Sequence, residues 1–182
     1  MSKMRKEPDF QEALLTKFDD YVSKGYYEEV GPLSAEPRTR LPGEVRSYIP
    51  IHAVVTPEKT RLVADAAAKC PDESGTRVCL NDFLLRGPND GSTLIGCMLR
   101  FRLHEIAFCA DIGDMFHNVR NELRDRDAIR TVFPKLVDEE LLLYVFRGAC
   151  HLFGTICANF CSAHALQQTA ERLGQHAGQS GL

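Results

Sequence analysis

The stretch from Phe108 to Phe116 carries the residues best suited to chemistry. An apolar run (Ile106, Ala107, Phe108) leads through Cys109 and Ala110 to Asp111; Ile112 follows, and the ring of Phe116 comes five residues after the carboxylate. A strand that ends on aspartate aims one carboxylate at a fixed point. The next backbone carbonyl can add a further oxygen, and hard divalent cations take oxygen ligands. Two such cations together activate a hydroxyl and neutralise a departing pyrophosphate. The pattern therefore suits nucleotidyl transfer, with the aromatic ring lying where the sugar of an incoming nucleotide sits. A strand ending in aspartate is also ordinary punctuation in mixed folds, so its neighbours decide the matter.

Two other clusters invite chemistry. Cys150-His151, Cys157, Cys161 and His164 lie close in sequence, and Cys157, Cys161 and His164 would share a helical face. This could be a zinc site, but it lacks the short Cys-x-x-Cys knuckles of structural zinc sites. Small buried residues on a packed helix account for it better, because free cysteine is commonly a core residue. The run Gly87-Pro88-Asn89-Asp90-Gly91-Ser92-Thr93 has the glycine content of a phosphate loop but not the lysine such a loop requires.

The elements that must position these groups are legible from spacing. Asp9, with Glu12 three residues on, reads as a capping box opening a helix over 9–24. Phe10, Leu14, Phe18 and Tyr21 form its apolar stripe, and Gly25 its stop. Residues 31–47, with prolines, glycines and arginines, read as a basic loop. Strands are expected over Tyr48–Val55 and Arg61–Ala66 around a turn at Pro57, with an exposed turn over Cys70–Arg77. A helix over 92–102 would be capped by Ser92 and bury Leu94, Ile95, Met98 and Leu99. Glu105–Asp111 is expected as a strand, Met115–Asn118 as a short helix and Arg124–Asp127 as a charged turn. Leu141–Phe146 reads as a strand and Thr155–Leu173 as a final helix, followed by a frayed tail from Gly174. Irregular alternation of helix and strand predicts an α+β fold with an antiparallel or mixed sheet.

Bulk properties set the class. At 182 residues the chain can build one core, and 44% hydrophobic with 26% charged residues is ordinary for a soluble domain. The formal net charge of −3 gives no global basic signal for nucleic acid. The polar start (Met1–Glu12) carries no apolar leader, and the most apolar late stretch, Leu141–Phe153, is interrupted by Arg147 and His151 and too short to span a bilayer. A cytoplasmic protein without a membrane partner is expected, its seven cysteines free thiols.

Several blocks, in register, resemble the reverse transcriptase of BEL/Pao-type long-terminal-repeat retrotransposons. Tyr48-Ile49-Pro50-Ile51-His52-Ala53-Val54 is similar to that family's Tyr-Leu-Pro-His-His-Ala-Val block. Arg61-Leu62-Val63-Ala64-Asp65-Ala66-Ala67-Ala68-Lys69 resembles its Arg-Val-Val-Phe-Asp-Ala-Ser-Ala-Lys. Leu80-Asn81-Asp82 followed by Gly87-Pro88, Leu99-Arg100-Phe101-Arg102, Ala110-Asp111-Ile112 with Met115-Phe116, and Arg124-Asp125-Arg126-Asp127 follow in the family's order. His151-Leu152-Phe153-Gly154 and Thr169-Ala170-Glu171 close the match, which covers residues 8–174 and leaves 175–182 as a disordered tail.

The resemblance implies the fingers and part of the palm of a right-hand polymerase. In the intact enzyme, which uses Mg²⁺, deoxynucleoside triphosphates and a primer–template, Asp111 would ligate both metal ions and Ile112 would lend its carbonyl. Phe116 would be the steric gate against a ribose 2′-hydroxyl, Arg61 would clamp the triphosphate, and Phe153 and Gly154 would line the nucleotide pocket. The family's second carboxylate pair, a Tyr-x-Asp-Asp hairpin, is not among the 182 residues, and Ala158-Asn159 stands where relatives carry Ser-Pro. One carboxylate holds Mg²⁺ poorly, so these residues alone are expected to be inactive and to expose apolar surface. Asp19-Asp20 is a decoy on the first helix, and Asp65 and Asp114 are expected to cap turns. The competing reading is a non-catalytic relic that binds nucleic acid through Arg38, Arg40, Arg46, Arg61, Arg100 and Arg102.

Overall fold

The computed structural model describes residues 8–37, 39, 43, 45–56, 60–72, 74–88 and 94–179. They form an α+β arrangement with antiparallel sheets. The first helix, α1 (Pro8–Ser23), begins one residue before the expected cap; proline is tolerated in a first turn because its missing N–H has no partner there. It stops as predicted. Gly25 adopts φ 71°, its amide donates to the Val22 carbonyl (2.9 Å) and that of Tyr26 to the Tyr21 carbonyl (2.9 Å). This is a Schellman closure, and its accompanying contact is present as the Tyr21–Tyr26 ring pair at 5.6 Å.

Strand β1 (Tyr27–Pro32) follows at once, inside a stretch the sequence left without a strand. It pairs antiparallel with β7 (Glu140–Gly148), which pairs in turn with β6 (Arg130–Val137), giving the order β1-β7-β6. Only the centre of β7 had been expected. Its register places Glu28 opposite Arg147, and the Glu28 carboxylate accepts from both Arg147 (2.9 Å) and Arg126. β2 (Ile51–Val55) and β3 (Thr60–Ala64) form the expected antiparallel hairpin; its turn at Pro57 lies outside the described residues. The Ile49 amide, just before β2, donates to the Arg130 carbonyl at 2.7 Å and ties this hairpin to the main sheet. The expected turn over 70–77 is a two-rung ladder of β4 (Cys70–Pro71) and β5 (Arg77–Val78) around Asp72, which accepts from Ser74 and Thr76.

The core forms where α1 crosses the sheet. Phe18 is 1% exposed and lies against Phe133 of β6 (ring centroids 3.9 Å), Phe146 of β7 (4.8 Å) and Tyr27 of β1 (5.1 Å). Leu14, Leu62, Ala64 and Leu152 complete it. Beneath it Arg130 is buried; its guanidinium donates to Glu36 (2.6 Å) and Asp127 (2.9 Å).

Three expectations are corrected. Glu105–Asp111 is not a strand: the segment has no regular structure, and Ile106 and Phe108 are 85% and 88% exposed. Strand-forming residues make a strand only when a neighbour satisfies their N–H and C=O groups, and no such neighbour exists among the described residues. The helix over 92–102 is present as α2 (Leu94–Phe101), but Ile95, Met98 and Leu99 are exposed rather than buried. Its Ser92 cap lies outside the described residues, as does the residue 89–93 part of the glycine-rich loop. Finally, α3 (Ala158–Gln179) continues through residues 174–179 of the stretch expected to fray, because each glycine in a helix, Gly174 and Gly178 here, costs only about 1 kcal/mol.

Candidate functional site

Four sequence blocks converge where β3 ends and the β7–α3 connection begins. Asn81, in a 3₁₀ turn (Leu80–Asp82), donates to the Gly154 carbonyl (2.9 Å) and accepts from the Ile156 amide (2.9 Å), while its own amide donates to the Ala66 carbonyl at 3.2 Å. A single residue thus joins the segment after β3 to the connection. Gly154 sits at φ 104°, and a Cβ there would lie 2.4 Å from the Ala64 carbonyl oxygen. Only glycine allows that approach. Beside it, Phe153 meets the ring of Phe116 edge-on at 4.6 Å. Phe116 lies in the 3₁₀ turn Met115–Asn118, where a short helix was expected.

The turn that carries Phe116 is held from below. Asp114 takes left-handed backbone angles (φ 51°). Instead of capping the turn with its side chain, it accepts a hydrogen bond from the Tyr26 hydroxyl at 3.0 Å. His117 is buried, stacked on Tyr26 at 4.3 Å and tilted toward Tyr21 and Phe153, and its Nδ1 makes no hydrogen bond. Burial lowers its pKa below 6.5; Asp114 opposes the shift while Lys24 and Lys17 add to it. Nothing in the sequence pattern marked His117, because its ring partners Tyr21, Tyr26 and Phe153 are all distant along the chain.

His117 has a measurable consequence. Neutral in the fold and free to protonate when unfolded, it makes the unfolded chain bind more protons below pH 6.5, so stability falls as pH drops through that range. His151, also lowered by burial, acts in the same direction. His117→Phe keeps the stack on Tyr26 and removes the proton. Urea midpoints measured between about pH 7 and pH 5 are expected to fall less for this variant than for the wild type. An unchanged slope would show that His117 does not titrate with folding.

Not all predicted residues meet at this place. Asp111 and Ile112 lie on the exposed segment that precedes the turn, and Arg61 is exposed on β3 opposite Val54. Among the described residues, no hydrogen bond or ion pair joins Asp111 or Arg61 to the Phe116–Phe153–Gly154 group. Asp65 caps its turn as expected, accepting from the Ala67 amide at 3.1 Å. Asp20 pairs with Lys17 and Lys24, each at 3.0 Å, as a surface residue of α1 would. Arg46 is withdrawn from the nucleic-acid set: its side chain is buried, bonded to the Pro37 carbonyl (2.8 Å) and 3.6 Å from Glu36. Arg38 and Arg40 lie outside the described residues, whereas Arg100 and Arg102 are exposed.

A groove of about 810 Å³ adjoins the site, between Arg86–Pro88 and the first turns of α3. Gly87 (φ 82°) lets the Phe160 ring lie against bare backbone, since a Cβ there would sit 2.4 Å from that ring. His164 stacks on Phe160 and lines the same groove. On a neighbouring face, His151, Cys157 and Cys161 bring their ligand atoms within 4.8 Å of one another. No helix among the described residues is long and apolar enough to cross a membrane. No family model matches this chain, and neither does any curated protein.

Proposed function

We propose that the chain is the fingers and partial palm of a BEL/Pao-type retrotransposon reverse transcriptase, inactive by itself. The observation that supports this reading is the convergence of blocks far apart in sequence. The resemblance assigns Phe116, Phe153 and Gly154 to one nucleotide pocket, and these residues touch or adjoin. Asn81, in a block of its own, bonds to Gly154. Phe116 would then gate the sugar with Phe153 as its backing, and Arg61 would hold triphosphate oxygens.

Asp111 would be the first palm carboxylate, with Ile112 lending its carbonyl, and the pair would hold Mg²⁺. The expected strand would form around them once a second acidic hairpin supplied both a partner for the exposed 105–111 segment and the remaining charge. Carboxylate and carbonyl oxygens fit a hard cation. One carboxylate on an exposed segment gives too little charge and order to hold two, which accounts for inactivity of these residues alone.

The test is Mg²⁺-dependent primer extension on an RNA template. The 182-residue chain and the same chain prolonged by the reading frame that follows Leu182 in its transcript would be compared. Extension is expected only from the longer protein; Asp111→Asn abolishes it, and Phe116→Ala admits ribonucleotides. A following frame without a Tyr-x-Asp-Asp segment, or extension that survives Asp111→Asn, overturns the reading. Salt-dependent binding of primer–template without extension by either protein favours the binding relic instead.

A further inference from the structure

We propose that His151, Cys157 and Cys161 bind one zinc ion, which clamps the loop carrying Phe153 and Gly154 to the first turn of α3. Sequence spacing offered His164 as the imidazole partner of the two cysteines. The structure assigns that place to His151 instead. His164 stacks on Phe160 with an interplanar angle of 12° and faces the groove, whereas His151 Nδ1 or Nε2 lies within 4.8 Å of both sulfurs.

The framework around the three donors is already fixed. The Cys161 amide donates to the Cys157 carbonyl at 3.0 Å, so the two thiols stand one helical turn apart on a common face. The His151 amide donates to the Val119 carbonyl at 2.9 Å, which anchors the ring's backbone at the end of the sheet. Cys150 is not a fourth ligand: it is fully buried, with its sulfur turned to the Gly25 carbonyl at 3.8 Å.

Tetrahedral zinc, with Zn–S near 2.3 Å and Zn–N near 2.0 Å, sets its ligand atoms roughly 3.5–3.8 Å apart. The observed spread is thus at most about an ångström too wide, a gap on the scale of a side-chain rotation. Two thiolates balance the charge of a dication, and their softness selects zinc over magnesium or calcium. All three residues are half-buried, so water can take the fourth position. The consequence is mechanical. The ion would bridge His151 to Cys157 and Cys161 across Leu152–Ile156, fixing both ends of the segment that presents Phe153. This site stands on its own geometry, whether or not the chain belongs to a polymerase.

The test uses the whole chain, reduced and freed of metal, titrated with Co²⁺ and then Zn²⁺. One equivalent of cobalt is expected to raise a thiolate charge-transfer band with tetrahedral visible bands, and zinc to bleach both. Cys157→Ser, Cys161→Ser and His151→Asn each weaken binding by at least about tenfold, whereas His164→Asn leaves it unchanged. A second measurement does not depend on the variants folding: alkylation of the wild type followed by peptide mass spectrometry. Zinc should shield Cys157 and Cys161 while the exposed Cys70, Cys97 and Cys109 go on reacting. Absence of the charge-transfer band in excess cobalt, its survival in the Cys157→Ser/Cys161→Ser double variant, or equal alkylation with and without zinc overturns the site.

Discussion

Phe18→Ala is expected to destabilise the fold by about 3–5 kcal/mol, the range for a large aromatic deleted from a core that cannot collapse around the void. Phe18 of α1 touches all three strands of the main sheet, through Tyr27, Phe133 and Phe146. Its ring is stacked on Phe133 within 14° of parallel and meets Phe146 edge-on. Such aromatic pairs add about 0.5–1.5 kcal/mol each beyond the area they bury. Neighbours on three separate strands cannot move in together, because each is pinned by its ladder. A domain of this size has about 5–15 kcal/mol in all, so much of its stability would be lost. Urea unfolding followed by far-ultraviolet dichroism reads the effect as a lower midpoint at unchanged slope. Phe18→Leu, which leaves a smaller hole, should lose less. A Phe18→Ala midpoint within about 1 kcal/mol of wild type would mean that α1 is not the second layer of the core.

The same contacts show what a sequence can and cannot disclose. The stripe Phe10, Leu14, Phe18 and Tyr21 and the stop at Gly25 are local, and α1 was legible apart from its start, which lies at Pro8 rather than after an Asp9 cap. The β2–β3 hairpin was legible for the same reason. The β6–β7 hairpin was not, although its strands are the longest among the described residues. Its two-residue turn is Asp138-Glu139 at φ 47° and 67°, and a turn needing two left-handed residues normally advertises itself with Asn-Gly or Asp-Gly. Pro134 lies within β6, which is tolerated because β6 is the sheet's edge, where a missing N–H is harmless.

Glu105–Asp111 shows the opposite failure. Its composition is that of a strand, but composition supplies no partner, and the segment is unpaired among the described residues. The site divides along the same line. That Phe116, Phe153 and Gly154 belong together came only from the resemblance. His117 was invisible because its stack on Tyr26 is a long-range contact. For the cysteine cluster, helical periodicity picks out His164, whereas the imidazole within 4.8 Å of both sulfurs is that of His151, which arrives from outside the helix.

Gly154→Ala is expected to destabilise the chain by about 3 kcal/mol or more and to release the loop that presents Phe153. Two effects add. At φ 104° an L-residue sits in a region that costs about 1–3 kcal/mol. Its Cβ would also lie 2.4 Å from the Ala64 carbonyl oxygen, which is backbone at the end of β3 and cannot rotate aside. The loop must therefore back away. Doing so breaks the Asn81 bridge to Gly154 and Ile156 and separates Phe153 from Phe116. Gly75→Ala isolates the first effect: Gly75 has φ 83° in an exposed turn with nothing within 4 Å of its added carbon. It should lose only the backbone share, about 1–3 kcal/mol. Hydrogen exchange at the Ile156 amide separates local release from global loss. In the Gly154 variant that amide should exchange faster than the amides of β7, and in the Gly75 variant it should keep its protection. Equal stability of the two variants would mean that the Ala64 carbonyl does not press on Gly154, and that the connection tolerates a side chain where the proposed nucleotide pocket requires none.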